Sequence, residues 1–306
     1  MIVKFFLPII IILLFILAFI GGPDYYASRS LKELWNIGHI LLFSLFSYYV
    51  VKSWSSFLKK NMLYQIIILI SITAIISLII ELSQYIFANG TPDLSDVRRN
   101  FVGTALGFLF ICSIKNKKLL FFLRTLIVII IILELIPVSL AFADEFRASS
   151  KFPILSDFES KLELSRWSGD MPFVRSKTKV LHGKSSLKVT FGTSKYSGVF
   201  LNYFPSNWMK YKYLKYNIYY SDIDTLYFTC RIHDEKHEKS IQVYSDRYNR
   251  QYFLVKGWNE ILISLNDVKN APKNRIMDMA NIRGLGIFTV QLSEPREVYM
   301  DYFRLE

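Results

Sequence analysis

Cysteine is almost missing. Cys112 and Cys230 are the only two among 306 residues, one in each half, so a disulfide framework is not expected and cysteine usage leaves the compartment undecided. The short motifs of soluble catalysis are missing as well. There is no nucleophile elbow, no metal-binding His pair, no Walker loop and no dinucleotide fingerprint, and soluble-enzyme chemistry therefore has no support. Internal repeats and low-complexity stretches are absent. No nucleic-acid-binding motif accompanies the basic charge, so nucleic acid is not an expected partner.

What is present in excess is apolar residues, at 52%, with a mean hydropathy of +0.28. They are unevenly placed. Ile, Leu and Phe crowd residues 1–142, whereas charges and Tyr dominate from Asp144 onward. The net charge of +12 is shared: 13 basic and 8 acidic residues precede Lys151, and 24 basic and 17 acidic follow from it. Beside a membrane, a positive balance of this size favours lipid headgroups or acidic envelope polymers.

Five apolar stretches approach the roughly 20 residues a helix needs to cross a bilayer: Val3–Ile20, Trp35–Val51, Met62–Phe87, Phe101–Ile114 and Leu119–Ala141. The first follows Lys4 in the manner of a signal peptide. Ile20-Gly21-Gly22-Pro23 is a poor cleavage site, and an uncleaved helix is expected. Lys4, Lys52, Lys59, Lys60, Lys115, Lys117 and Lys118 fall on one side of the alternating topology, against Arg29, Lys32, Arg98 and Arg99 on the other. The heavier side is expected inside, which puts the N-terminus in the cytoplasm and everything after Ala141 outside.

Polar groups in hydrocarbon are costly and call for an account. His39 lies a turn inside the second segment. Glu81 and Gln84 sit at i, i+3 near the end of the third. Asp93 and Asp96 occupy the next loop, Asn100 follows one turn later, and Glu134 lies about 10 Å deep in the fifth segment. By the expected topology all of them gather at the outer leaflet. They make either an outward-facing site or interhelical glue, with Asp96 capping the fourth helix. Gly103-x-x-x-Gly107 continues the Asn100 face and invites close helix approach.

Trp35-Asn36-Ile37-Gly38-His39 resembles the first motif of VanZ-like membrane proteins. Glu81-x-x-Gln84 and then Asp96-x-x-x-Asn100-x-x-Gly103-x-x-x-Gly107 resemble the second. The resemblance spans roughly residues 1–140. It implies a cell-envelope role, and the family name comes from a protein linked to teicoplanin resistance, with no established reaction. It also makes His39, Glu81, Gln84, Asp96 and Asn100 the candidate polar site. Two family cations are replaced here, by Gly90 and Asn36; if those cations hold an anionic group in relatives, this chain either uses Arg98 or Arg99 for it or has lost that ability.

From about Asp157 the apolar pattern changes to period two. Ser186–Phe191, Gly198–Phe204, Tyr213–Tyr220, Thr225–His233, Ser240–Tyr244, Trp258–Leu265, Gly284–Val290 and Glu297–Leu305 read as strands. An antiparallel β-sandwich or jelly roll is expected, giving three parts: a transmembrane domain at 1–142, a linker at 143–154 and an extracellular sandwich at 155–306. Trp167, Trp208 and Trp258 are expected in its core. Tyr227, Arg231 and His233 alternate outward, and Gln242 and Tyr244 would join them from the next strand. Such a row is either a glycan-binding face or an ordinary solvent face of a Tyr-rich sheet.

Asp157-Phe158-Glu159, Gly183-Lys184-Ser185-Ser186-Leu187-Lys188-Val189, Trp258-Asn259-Glu260 and Asp301-Tyr302-Phe303-Arg304-Leu305 together resemble galactose-binding-like carbohydrate-binding modules. The resemblance implies a structural Ca2+ shared by the first and last strands, with Glu159 and Asp301 at the matching positions. Solvated charges at strand ends are the plainer alternative. Three function classes follow. The chain is a membrane-anchored binder of an envelope glycan or glycolipid, an embedded enzyme or lipid-handling protein acting through His39, Glu81 and Asp96, or a sensor or accessory subunit. The oligomeric state is not legible.

Overall fold

The computed structural model describes residues 2–20, 22–23, 27–54, 56–87, 93–112 and 116–306. Gly21, Gly90 and Lys115 fall outside the described residues, as do the side chains at 2–5, Lys4 included, and at 87. The chain divides into two compact units, Met1–Phe142 and Ala143–Glu306.

The first unit is built from α1 (Ile2–Ile20), α2 (Arg29–Ser53), α3 (Met62–Phe87), α4 (Leu94–Ile111) and most of α5 (Lys117–Lys151). Among the described residues, Arg29–Ser53, Met62–Ile86 and Lys117–Lys151 are long and apolar enough to cross a bilayer, and Phe6–Ile20 is a shorter apolar stretch. Large apolar side chains such as Ile12, Leu78, Phe110 and Phe121 face outward. That suits a hydrocarbon surround, where burial between helices brings no hydrophobic gain and close fit decides association. Close fit is what the small residues of α4 provide. A Cβ added at Gly103 would fall well inside contact distance of the Ile40 carbonyl, and one at Gly107 would strike Ser44 and Ser47. Ser47 Oγ then reaches the Thr104 carbonyl at 3.0 Å, and Thr73 meets Thr104 at 2.7 Å.

The fourth helix begins nearly two turns before the apolar run Phe101–Ile114, because Asp93 supplies its cap. Asp93 Oδ1 accepts the Ser95 N–H at 2.7 Å. The capping role considered for Asp96 therefore belongs to Asp93, and Asp96 lies inside the first turn with its carboxylate facing His39 of α2.

The second unit is a β-sandwich. One sheet runs β3 (Phe173–Ser176), β4 (Ser186–Phe191), β11 (Arg296–Leu305), β6 (Tyr213–Tyr220), β9 (Gly257–Ser264), with β1 (Ile154–Ser156) also paired to β11. The other runs β2 (Trp167–Gly169), β5 (Ser197–Leu201), β10 (Ile282–Thr289), β7 (Leu226–Asp234), β8 (Tyr248–Leu254). Neighbours are antiparallel throughout. Alternation supplies the core: Leu187, Val189 and Phe191 point in from β4, and Leu214, Tyr216, Ile218 and Tyr220 from β6. In β11 the inward set changes parity, from Val298 and Met300 to Phe303 and Leu305. A bulge between Asp301 and Arg304 absorbs the extra residue, with Tyr302 at φ 55°, and it turns Asp301 into the interior.

Several sequence expectations change here. Ser240–Tyr244 is not a strand. After β7 the chain makes a short helix, α6 (Glu235–Glu238), and a 3-10 turn at Tyr244–Asp246, and the strand that pairs with β7 is β8. Asp234 causes the break, since its carboxylate caps α6 through the His237 N–H at 3.0 Å. Another short helix, α7 (Leu265–Lys269), follows β9. β5 stops at Leu201, three residues before the expected Phe204. The stretch expected as a linker, 143–154, is helical to Lys151 and enters β1 at Ile154. Asp144 in that stretch is fully buried, 3.2 Å from Arg166. Trp167 and Trp208 are core residues, but Trp258 is half-buried on the outer side, edge-on to Tyr219 at 5.5 Å.

Candidate functional site

In the helical unit the polar residues form a connected set. α2 carries His39, α3 carries Ser77 and Glu81, and α4 carries Asp96, Arg99 and Asn100. His39 Nδ1 lies 3.0 Å from Asn100 Oδ1, and its Nε2 lies 3.5 Å from Asp96 Oδ2. Asn100 Nδ2 donates to Ser77 Oγ at 2.9 Å. Arg99 donates to Asp96 at 2.7 Å and to Glu134 of α5 at 3.3 Å, and Glu134 also accepts from Arg98. Both ring nitrogens of His39 are thus engaged by protein groups, and the ring is 3% exposed. This geometry holds the imidazole in place, with Nδ1 taken up by Asn100 and Nε2 facing the Asp96 carboxylate.

Glu81 differs. Its Oε2 accepts the Asp93 N–H at 2.8 Å, and its carboxylate lies within electrostatic reach of Asp96 and His39. Its Oε1 is buried without a hydrogen-bond partner, which is a costly condition for a carboxylate oxygen. Gln84 does not join the set, because its amide turns to the Ala18 carbonyl of α1 at 2.7 Å. A groove of about 220 Å3 between α1 and α2, lined by Leu14, Leu34, Trp35 and Leu42, has His39 on its wall.

In the sandwich the expected outward row is only partly assembled. Tyr227 is 56% exposed and Arg231 follows it on the outer face of β7. His233 is buried, its Nε2 3.4 Å from Glu238 Oε1, because α6 folds over it. Gln242 sits in the turn after α6, at φ 55°, where its amide donates to the Glu238 carbonyl at 3.2 Å. Tyr244 is exposed on the 3-10 turn rather than on a neighbouring strand.

The strands that do flank β7 build a different face, which the sequence reading missed. Register places Phe253 opposite Tyr227, Gln251 opposite Thr229 and Asn249 opposite Arg231. On the other side Phe288 lies opposite Thr229 and Gly286 opposite Arg231, and Gly286 and Gly198 face Phe200 and Phe288 on the adjacent strands. These glycines leave room for rings. Phe200 lies directly over Gly286, parallel to Phe288 at 6.4 Å, and the Arg231 guanidinium stands 4.8 Å over the Phe200 ring. Tyr196 meets Phe288 edge-on at 5.9 Å. The sequence signal was a Gly-x-Phe alternation in β5 (Gly198, Phe200) and β10 (Gly286, Phe288), legible only once the two are known to be neighbours.

Glu159 and Asp301 both hold the loop before β4. Glu159 Oε1 accepts the Lys184 and Ser185 N–H groups at 2.7 and 2.8 Å. Asp301 Oδ2 accepts those of Leu181 and His182 at 2.8 and 2.9 Å. Asp301 Oδ1 is buried with no partner, and burial pushes the carboxyl pKa up while the loop amides pull it down. The orphaned, buried oxygen of Asp301 is the kind of donor a hard cation takes. Among the described residues no group of three or more His, Cys, Asp and Glu could hold a metal, so an ion here would also need backbone carbonyls.

Comparison with known proteins gives one family match: residues 5–116 match the VanZ/LLP1 family. No curated protein matches the chain. Among solved structures, the family 11 carbohydrate-binding module from Clostridium thermocellum, in complex with a β-1,3-1,4-mixed-linked tetrasaccharide, aligns at 17% identity and a TM-score of 0.38. The alignment covers 50% of this chain and 93% of that one. An exo-β-agarase aligns at 13% identity and a TM-score of 0.41, over 50% of this chain and 24% of its own.

Proposed function

From a VanZ-like membrane domain joined to a β-sandwich, we propose that this membrane protein holds a cell-envelope glycan or glycolipid on the outer face of its five-stranded sheet. The reading is carried by the platform of Phe200, Phe288, Tyr196, Tyr227 and Phe253. Tyr196, Tyr227 and Phe253 are 56–60% exposed, more than their cross-strand pairing needs, and exposed aromatics grouped on one face support a binding surface. Sugar rings stack on such faces, while Arg231 with Asn249 opposite it, and Gln251 two residues along β8, supply groups for hydroxyls. The heavier basic loops put the N-terminus in the cytoplasm and the sandwich outside, where such glycans are found. Glu159 and Asp301 would hold a structural calcium ion that ties the first and last strands together. The test is a glycan array probed with the full chain in lipid nanodiscs. Binding that is lost in Phe200→Ala and Tyr227→Ala supports the platform, and binding unaffected by both removes it.

A second reading rests on Glu81. Its orphaned oxygen and its Asp96–His39 surroundings make it the group best placed to accept a proton or a ligand donor in an embedded site. The reading makes the helical unit an enzyme or lipid-handling device acting on an envelope precursor, with His39 and Asn100 as positioning residues. Glu81→Gln keeps shape and removes the charge. It should leave the fold intact while abolishing any glycopeptide-resistance phenotype the parent confers, and an unaltered phenotype would assign the cluster to packing.

A further inference from the structure

The open edge of the five-stranded sheet carries a second feature. Among the described residues β8 has no strand on its far side, and a cavity of about 330 Å3 lies along that edge, lined by Tyr244, Arg247, Asn249, Arg250, Asp267 and Lys273 among others. Its charges do not balance. Arg250 pairs with Asp267 at 3.1 Å, both well exposed. That leaves Arg247 and Lys273 without a carboxylate partner among the described residues, and Arg247 Nε is buried with no hydrogen-bond partner at all. Burial opposes the charge of Arg247 and holds its pKa below the ordinary arginine value. A half-buried guanidinium with an unused donor is expensive, and its fork is shaped for a planar or tetrahedral oxyanion.

Two observations tie this cavity to the platform. Asn249 lies opposite Arg231 in the β7–β8 register, and its Oδ1 is buried without a partner, an acceptor suited to a sugar hydroxyl. Tyr196, which packs on Phe288, is within electrostatic reach of Arg247, and Tyr244 lies 5.8 Å from the guanidinium.

We propose that the Arg247–Lys273 cavity is an anion subsite beside the aromatic platform, so that the glycan held there is acidic and places a phosphate or carboxylate group against Arg247. This rests on the glycan reading of the platform and narrows it to a class of ligand. Stacking fixes the sugar ring, Asn249 takes a hydroxyl, and the two free cations select for charge. The excess of basic residues in the sandwich draws such polymers in, but only the cavity distinguishes one acidic glycan from another.

The test uses the full chain in nanodiscs of uncharged lipid, on an array of neutral, uronate-bearing and phosphate-bearing glycans. Acidic members should bind about tenfold more tightly than their neutral counterparts, the size of one charge-assisted hydrogen bond, and should weaken as salt is raised. Arg247→Gln and Lys273→Gln should each erase most of that preference, while Lys256→Gln, an exposed lysine remote from the cavity, should not. Preference for the phosphate or the uronate set identifies the source of the anion. Equal binding of neutral and acidic members, or an Arg247→Gln variant that keeps the preference, overturns the subsite and leaves the platform standing. If no glycan binds, both fall.

Discussion

The imidazole of His39 and the carboxamide of Asn100 meet at 3.0 Å across a seam where α2 and α4 nearly touch backbones. The contact exists because Gly103, one turn beyond Asn100, has no side chain to hold the helices apart. Gly103→Leu should therefore separate α2 from α4, strand the buried His39–Asn100–Ser77 bonds and lower the yield of folded protein sharply. Fluorescence-detected size exclusion in detergent reads the effect, and a monodisperse, parent-like Gly103→Leu peak would show that the seam is not required.

Topology can be mapped against a quiet background. Cys112 and Cys230 are both free and buried, and burial pushes the Cys230 thiol up to about 12, so it is a thiol rather than a thiolate at neutral pH. The parent should resist impermeant maleimide. A cysteine at Asn270 should label from outside intact cells and one at Lys117 only after permeabilisation. The opposite pattern would place the sandwich inside and end the envelope-glycan reading.

The buried pair of Asp144 and Arg166 predicts where the sandwich can be cut. Removing one member of a buried ion pair costs about 3–5 kcal/mol. A fragment from Ala143 should fold with a cooperative melt. Asp144→Ala in that fragment, or a fragment starting at Leu155, should melt far lower. Equal melting of all three would mean that the pair is not part of the domain's stability.

Acid should loosen the region around α6. Burial works against the charge on Asp234, but hydrogen bonds from Arg275 and the Asp278 and His237 amides outweigh it and hold its pKa below the ordinary aspartate value. Arg275 does the same to Asp246. Both folded-state pKa values are depressed, so this stability is complete above the unfolded aspartate value of about 3.9 and fades as pH falls through the folded values. Burial also holds the His237 pKa below the ordinary histidine value, so the melting temperature should begin to fall below about pH 6.5 and fall further below about pH 4, with a smaller loss in the lower range in Arg275→Met. Identical acid profiles for the two would refute the assignment.

Calcium should stabilise the same fragment. An ion binding only the folded state contributes about 2.7 kcal/mol at a concentration of about one hundred times Kd. Asp301→Asn should remove the response to calcium and to its chelation. No calcium-dependent shift in the parent would leave Glu159 and Asp301 as loop caps alone.

The sequence was most readable where one local rule decides structure. Ser186–Phe191 and Tyr213–Tyr220 appear at the expected bounds because inward and outward residues alternate without interruption, and the helices follow from runs that only hydrocarbon accommodates. Legibility failed where a single side chain redirects the backbone. Asp93 starts α4 early, and Asp234 ends β7 by capping α6, which cancels the strand expected at Ser240–Tyr244. The outward row failed for that reason: Tyr227 and Arg231 are on the expected face, but His233 is roofed over and Gln242 and Tyr244 lie on turns. Phe200 and Phe288 could not be paired in advance, since β5 and β10 are some eighty residues apart in sequence.

β11 lies in the middle of its sheet, bonded to β4 on one side and β6 on the other. Until Arg296–Leu305 arrives, β4 and β6 each present a bare row of amides and carbonyls, and the Phe303 ring that stacks on Tyr216 at 4.6 Å is missing from the interior. Closure of the sandwich is therefore a late, long-range event, with the slow kinetics that distant pairing imposes. In the interval the two unpaired edges are an invitation to strands of neighbouring chains, so a nascent copy of the sandwich is most vulnerable to aggregation just before β11 is supplied.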